Sequence, residues 1–392
     1  MKLNKKPVLP SLLLLTSIFF LNFFARVIFS PLLPTIEKSL ALSHSKAGTI
    51  FLIISCGYFV SLLGSGLISS KIGHKNTIVC SMFFISASLL LIASLTSFLH
   101  LQPAFFLLGL GAGIYLPSAI ATITELFTHA HWGKAFAIHE LAPNLAFLTA
   151  PLCSSLLLSQ LHWQHTILIL AGTSFIAGSL YHYFGRGKKI LGTPPNISLC
   201  LTILKQRNFL ILTILFALGI SSTIGIFNIL PLFLVTNHAL SLEDANLLVG
   251  LSRILTLGTA LLGGWLADRF GNRKTIACVL LMTGLTTSVI GLTDGHLLVT
   301  SIFLQPLLAV CFFPAGFALL SQLSVPSARN VVISLAVPLA FLIGGGLLPA
   351  LITAMADIGK FDTGIILTGM FICSGTLFVP LLSKEMQLTE NV

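Results

Sequence analysis

Runs of about 20 apolar residues, the length of a helix that crosses a lipid bilayer, alternate with short polar stretches along almost the whole chain. Six such runs precede a longer polar stretch at 185–208, and six follow it. The pattern predicts an all-α integral membrane protein. Its twelve transmembrane helices are expected at 11–33, 47–69, 77–98, 101–125, 134–158, 164–184, 209–236, 246–267, 275–293, 297–321, 328–355 and 362–383.

The composition agrees with this prediction. Of the 392 residues, 55% are hydrophobic and 8% are charged, whereas a soluble domain has roughly 25% charged residues. A water-soluble fold of this length cannot hide so much apolar surface, because its outer surface still faces solvent. Lipid is therefore the expected solvent for most side chains.

The net charge and the cysteines exclude other classes of protein. The formal charge of +10 does not indicate nucleic-acid binding, because the basic residues are spread over short loops between apolar runs. The seven cysteines lie mostly within apolar runs and lack the close spacing of metal ligands. We therefore expect no metal, no other cofactor and no disulfide framework.

The basic residues also predict the orientation, because Lys and Arg concentrate in cytoplasmic loops. The apolar stretch after the N-terminal lysines is longer than a signal-peptide core, so we interpret it as the first helix. Sixteen of the 21 Lys and Arg then fall on one side, and only Lys38, Lys46 and Lys360 fall on the other. The prediction is a bacterial inner-membrane protein with both termini in the cytoplasm.

The two halves of the chain repeat each other. Segment 66–75 follows the second predicted helix, and the similar segment 264–273 follows the eighth. Pro34 and Pro231 end the first and seventh predicted helices at nearly the same offset. Two six-helix halves are typical of secondary transporters, whose site lies near the midplane between them. The predicted parts are a first half at 1–184, a cytoplasmic linker at 185–208 and a second half at 209–392.

Both repeated segments resemble the signature loop of the major facilitator superfamily, G-x-L-A-D-R-x-G-R-K. The second copy matches nearly throughout, whereas Ser70 stands in the first copy where the signature has an acidic residue. The resemblance implies that superfamily's fold and a conformational gate in these loops, where Asp268 caps a helix or pairs with a nearby arginine. The alternative is that the charges only set topology. The implied gate residues are Gly66, Gly73, Lys75, Gly264, Asp268, Arg269, Gly271 and Arg273.

Two predicted helices resemble subfamilies of this superfamily. Helix five has small residues, including Ala146 and Ala150, at the spacing of the glycine motif of proton-coupled exporters. Helix one, with Arg26 and Pro34, resembles the first helix of the organic-anion transporters, although Ala25 replaces their usual acidic residue. Coupling schemes that depend on the missing acid do not carry over to this chain.

Arg26 lies within the first predicted helix. Placing a charged side chain at that depth in the bilayer costs at least about 2.5–3.5 kcal/mol of free energy, so charged residues inside membrane helices tend to face a cavity. Asn22, Arg26 and Ser30 recur every four residues and form one polar stripe. Arginine stays charged at any working pH and donates a fork of hydrogen bonds to carboxylate or phosphate. The stripe predicts a substrate site for an anion; a purely structural arginine is the alternative.

Further candidates for the substrate site lie elsewhere in the chain. Arg253, on one helical face with Asn246, is a candidate for the other side of an anion site, or its long side chain reaches the outer surface instead. Tyr58, Tyr115 and Asn228 are candidates for the cavity wall, although such residues also occur in ordinary packing.

His139 and Glu140 are the candidates for proton coupling. Histidine exchanges its proton near neutral pH, and a carboxyl group removed from water binds a proton more readily. The alternative is a structural ion pair of Glu140 with Lys134 or with an arginine, which would stabilise the fifth predicted helix.

These features predict a secondary active transporter of a small solute, namely a proton-coupled transporter of an organic anion that works by alternating access. The alternative is a proton-driven exporter of amphipathic compounds. An enzyme is not expected, because the chain has no Walker loop, H-E-x-x-H helix or G-x-S-x-G elbow. We expect a monomer whose partners are its substrate, protons and the lipid bilayer, with no nucleic acid.

Overall fold

The computed structural model describes residues 9–128, 131–186, 191–192, 197–323 and 329–382. All regular elements in these ranges are helices, so the predicted all-α class is confirmed. Ten of the helices are long and apolar enough to cross a bilayer.

Two further crossings follow from breaks in the helices. His44–Ser94 has 51 residues, a length of about 76 Å at 1.5 Å per residue, which is more than twice a bilayer core. Its backbone leaves the helical conformation at Gly73, so it crosses twice. Leu242–Thr259 and Leu261–Phe270 meet at a bend of 47° and together form one more crossing. The described residues thus contain the twelve predicted crossings.

We number the crossings in chain order. Six precede the linker and six follow it. They are α1 Leu9–Ser39, α2 44–72, α3 74–94, α4 Phe98–Leu126, α5 Trp132–Leu158, α6 Trp163–Phe184, α7 Arg207–Asn237, α8 242–270, α9 Asn272–Leu292, α10 Gly295–Gln322, α11 Val331–Ala356 and α12 Phe361–Leu381.

The observed bounds differ from the predicted ones in two instructive places. α1 continues to Ser39 instead of ending at residue 33, because Pro34 lies inside the helix rather than stopping it. The linker, predicted from its polar residues as a loop, contains the short helix Ile197–Leu204.

The two halves are bonded to each other near one end of the bundle, the end that carries the turns between α1 and α2 and between α7 and α8. We call it the sealed end. Three hydrogen bonds between described residues join the halves there: Ser30 Oγ to Phe227 O (2.6 Å), Asn246 Nδ2 to Pro31 O (3.3 Å) and Ser45 N to Asp357 Oδ2 (3.2 Å). The signature loops lie at the opposite end.

Those loops have the same backbone in both halves. Gly73 turns the chain at φ 80° and ψ 160°, and Gly271 at φ 86° and ψ 147°. Only glycine adopts this region readily, since a side chain there clashes with its own backbone. The repeat seen in the sequence is therefore also a repeat of local conformation.

Replacing Gly271 by alanine is expected to lower the free energy of unfolding by about 1–3 kcal/mol, because the new side chain strains the backbone at positive φ. No described atom beyond its chain neighbours lies within 4 Å of a Cβ built there, so no steric clash with other parts of the fold adds to the strain. Gly258→Ala, in equally open space within α8 and without positive φ, is the matched control. The apparent unfolding temperature in detergent measures both, and equal values would contradict the expectation.

α7 and α11 each contain a π-helical turn, at Ser221–Gly225 and Phe341–Leu347. Such a turn interrupts the regular hydrogen-bond ladder and is frequent at functional sites. In each case a buried amide side chain bonds a carbonyl within the turn: Gln305 Nε2 donates to Ser222 O (2.6 Å), and Asn228 Nδ2 donates to Gly345 O (3.0 Å).

Candidate functional site

A cavity of about 30 Å³ lies between the halves, walled by α1, α2, α7 and α11. This is room for one or two water molecules. Its polar side chains are Arg26, Ser55, Tyr58 and Asn228, and the rest of its lining is apolar apart from the backbone of Gly345. Three of the residues predicted for the substrate site therefore meet here.

Arg26 is held against this wall by aromatic rings. Its guanidinium carbon lies 4.3 Å from the ring centre of Tyr58, 4.8 Å from that of Phe23 and 5.7 Å from that of Phe341. Cation–π contacts of this kind contribute about 0.5–2 kcal/mol. No described carboxylate forms an ion pair with Arg26, and its buried Nε has no described hydrogen-bond partner. The rings fix the guanidinium while leaving donor capacity for a ligand.

Arg253 lies in the break of α8, between helices Leu242–Leu251 and Thr256–Phe270. Arg253 is only 2% exposed, so its side chain does not reach the outer surface. Its guanidinium carbon lies 5.0 Å from the ring centre of Phe227 and 5.1 Å from that of Phe147. Its Nε also has no hydrogen-bond partner among the described residues.

One aromatic path connects the two arginines. The Phe23 ring, beside Arg26, lies 5.0 Å from the Phe147 ring, which is beside Arg253. The centroid distances along this path, 4.8, 5.0 and 5.1 Å, place the two guanidinium carbons within 15 Å of each other. Arg26 belongs to the first half and Arg253 to the second, so the path crosses the interface between them.

The other two members of the predicted stripe do not line the cavity. Asn22 Nδ2 donates to Ala112 O on α4 at 3.0 Å, and Ser30 Oγ belongs to the hydrogen bonds of the sealed end. Four residues turn an α-helix by slightly more than one revolution, about 40° extra, so a stripe of this spacing drifts around the helix.

His139, Tyr115 and Glu140 form a separate cluster beside α1. The buried His139 ring stacks on Phe19, with ring centres 4.4 Å apart and planes 8° apart. His139 Nε2 lies 3.0 Å from Tyr115 Oη, which donates to Leu15 O at 2.9 Å. Tyr115 therefore faces this cluster rather than the cavity.

Glu140 stands at the junction of helices Trp132–His139 and Leu141–Leu158, with 59% of its side chain exposed. Its Oε1 lies 3.5 Å from His139 Nδ1, and that nitrogen has no hydrogen-bond partner among the described residues. No described ion pair joins Glu140 to Lys134.

The predicted gate residues lie at the end opposite to the sealed end. Asp268 is exposed and forms no ion pair with any described residue. Arg269 lies over the ring of Trp265, 5.3 Å from its centre, and Arg273 Nη1 donates to Leu382 O at 3.1 Å. The gate thus stays a prediction.

Sequence reasoning missed the phenylalanines around both arginines, because the chain contains 30 Phe and a single one in an apolar run carries no signal. It also missed the π-helical turn of α11. The three consecutive glycines Gly344, Gly345 and Gly346 were the available sign, since such a run is unusual inside a helix. Within the described ranges, no group of three His, Cys, Asp or Glu is placed to hold a metal.

Known proteins that resemble this chain are transporters. It is 28% identical to the multi-drug resistance efflux pump PmrA of Streptococcus pneumoniae over 40% of this chain and 39% of the pump, so less than half of that relative is matched. It is 22% identical to the probable nitrate transporter NarT of Staphylococcus epidermidis over 68% of this chain and 69% of NarT.

The fold matches that of a solved transporter. The crystal structure of a bacterial homologue of the human lysosomal transporter Spinster, in an inward-facing and occupied conformation, has a TM-score of 0.82 with 15% identity and covers 98% of each chain. The model of the Major Facilitator Superfamily matches residues 15–261 and 209–389, nearly the whole chain. The chain therefore belongs to the Major Facilitator Superfamily and is an integral membrane protein.

Proposed function

We propose that this transporter carries a small organic anion in symport with protons. The observation that carries the proposal is the pair of arginines at the interface of the halves, neither of which has a carboxylate partner among the described residues. Arginine binds carboxylate or phosphate through two parallel hydrogen bonds. A buried cation without an anion is costly, and a bound anionic substrate removes that cost.

The charge of the site favours anions over organic cations. No Asp or Glu lines the described cavity, and Arg26 supplies a positive charge at its wall. A cationic substrate would meet repulsion there without a compensating carboxylate. The aromatic and aliphatic wall, with Phe23, Phe51 and Phe341, suits an anion that has an apolar body.

Alternating access explains why the hydrogen bonds between the two halves lie at one end of the bundle. In our proposal the sealed end is the outer one, both termini lie in the cytoplasm of a bacterial cell, and a single chain is the working unit. The halves then rock about the central site, and the three bonds of the sealed end break when the site opens outward. Because only these few bonds join the halves there, the halves can move as rigid units about the central site.

The direct test is uptake of radiolabelled benzoate and lactate into proteoliposomes under an inward proton gradient. We expect uptake above that of protein-free liposomes, and its loss when an ionophore collapses the gradient. Unchanged uptake after collapse would contradict symport, and absence of uptake with every anion of a wider carboxylate and phosphate panel would contradict the anion assignment.

Replacing His139 by glutamine is expected to abolish stimulation of uptake by the proton gradient, because glutamine donates a similar hydrogen bond but does not titrate. Counterflow of the same anion without a gradient should persist, since it needs no net proton movement. The measurement compares both modes in one preparation. His165→Gln, at the start of α6 and far along the chain from the cluster, is the matched control. Proton stimulation that survives in His139→Gln would contradict the coupling role.

The second candidate is a proton-driven exporter of amphipathic compounds. It is favoured by the mainly apolar cavity wall and by the small residues Ala146 and Ala150 on α5, both fully buried. Dye efflux from cells that is insensitive to loss of the Arg26 charge would favour this candidate over anion symport.

A further inference from the structure

The hydroxyl of Tyr115 lies between a main-chain carbonyl and a histidine nitrogen. It is 2.9 Å from Leu15 O and 3.0 Å from His139 Nε2. A tyrosine hydroxyl has a single hydrogen, and a carbonyl oxygen only accepts. When that hydrogen is donated to Leu15 O, the remaining contact is satisfied only if His139 Nε2 carries a hydrogen and donates it to Tyr115 Oη.

With the Tyr115 hydrogen donated to Leu15 O, the state of the other ring nitrogen follows. A neutral imidazole has one N–H and one lone pair, so a hydrogen on Nε2 leaves Nδ1 as the unprotonated nitrogen. Nδ1 is the buried atom without a hydrogen-bond partner, and it faces Glu140 Oε1 at 3.5 Å. In the neutral state two acceptors therefore face each other, and one added proton converts the contact into a charge-assisted hydrogen bond.

We infer that Tyr115 is a positioning residue that fixes the hydrogen of neutral His139 on Nε2, so that the coupled proton enters at Nδ1 and is held between His139 and Glu140. The inference rests on the proposed proton coupling and adds to it the atom that takes the proton. The ring stack on Phe19 supports it, because planes 8° apart leave the imidazole little freedom to turn its nitrogens around.

The groups around His139 are consistent with a single proton site. From α1 it meets the apolar Phe19 ring, from α4 the Tyr115 hydroxyl and on its own crossing Glu140. The Tyr181 hydroxyl on α6 donates to Arg186 O at 3.4 Å instead. Glu140 is thus the one carboxylate that faces His139 among the described residues.

The site also explains how a proton would promote anion binding. Phe19 and Phe23 connect the cluster to Arg26, because the Phe19 ring centre lies 4.4 Å from that of His139 and 6.4 Å from that of Phe23, whose own centre is 4.8 Å from the Arg26 guanidinium carbon. A Glu140 carboxylate that faces a neutral His139 adds negative charge to this region. A proton on His139 Nδ1 gives an imidazolium that neutralises this carboxylate. The field at Arg26 then becomes more positive, and an anionic substrate binds more tightly.

The test is a pH titration by NMR of the full chain in nanodiscs with nitrogen-15-labelled histidine, with His139→Gln used to assign the His139 signals. Above the titration midpoint, the wild-type ring is expected to show a hydrogen on Nε2 and none on Nδ1. Tyr115→Phe keeps the ring but removes the acceptor. It is expected to mix the two neutral forms, because the acceptor that holds the hydrogen on Nε2 is lost.

Tyr181→Phe removes another buried tyrosine hydroxyl from the same half and is expected to leave the ring hydrogen of neutral His139 on Nε2. A wild-type ring with its hydrogen on Nδ1 would overturn the inference, and this result needs no variant to fold. A ring hydrogen that stays entirely on Nε2 in folded Tyr115→Phe would also overturn it. These results would overturn only the role of Tyr115. The proposed proton coupling fails by a different result, namely proton-stimulated uptake that persists in His139→Gln, and that result does not depend on which ring nitrogen carries the hydrogen.

Discussion

Replacing Arg26 by alanine is expected to reduce proton-driven uptake of a carboxylate by about 100-fold, the effect of losing roughly 3 kcal/mol of charge-assisted hydrogen bonding. Arg26 is the one cationic side chain in the wall of the described cavity. Without it, the aromatic residues Phe23, Tyr58 and Phe341 form a pocket that is neutral and unsuited to a carboxylate. Initial uptake rates in proteoliposomes, normalised to the amount of inserted protein, measure the loss.

Two further variants make this experiment specific. Arg26→Lys keeps the charge but not the planar fork of donors, so an intermediate rate is expected. Arg207→Ala removes an exposed arginine at the start of α7 and is expected to transport at the wild-type rate. Wild-type uptake by folded Arg26→Ala would exclude Arg26 as the substrate anchor and would favour the exporter.

Replacing Gly109 by alanine is expected to destabilise the protein by about 3 kcal/mol, the upper part of the range for overpacking. A Cβ at this position in α4 would meet the carbonyl of Ile54 and would lie 2.8 Å from the backbone nitrogen of Tyr58. Backbone atoms in a packed helix cannot rotate away as a side chain does, so α2 and α4 must separate. The apparent unfolding temperature should fall by several degrees.

The same substitution should also weaken transport, since Tyr58 carries the ring closest to the Arg26 guanidinium. Gly172→Ala is the matched control, because a Cβ on this α6 glycine meets nothing within 4 Å among the described residues. It should be neutral or slightly stabilising, as alanine favours a helix more than glycine does. Equal unfolding temperatures for the two variants would show that α2 and α4 are not as closely packed as described.

The crossings were predictable because a bilayer imposes a strong rule: a spanning segment needs about 20 apolar residues. The repeat was predictable from the paired loops, and Gly73 and Gly271 show that the sequence likeness reflects a shared backbone conformation. The end of α1 was not predictable from the sequence. A proline such as Pro34 is tolerated inside a membrane helix where packing stabilises the helix on both sides of the proline.

The site was predictable only in part, for physical reasons. Arg26 was identifiable because a charge in an apolar helix is costly and therefore needs a reason. Spacing along one helix placed Asn22 and Ser30 beside it, but their neighbours on α4 and α7 determine where they point, and one helix does not contain that information. The role of Tyr115 likewise depends on α1 and α5 together, which bring Leu15 and His139 to the same hydroxyl.

The π-helical turn in α7 has a consequence for the register of the whole crossing. One residue advances a helix by about 100°, so the extra residue in Ser221–Gly225 sets the direction of every side chain that follows it. Asn228 reaches Gly345 O with that rotation in place. Deleting one residue from the turn would rotate the following part of α7 by about a quarter of a revolution, and relatives without the extra residue would align to this chain only with a gap inside the helix.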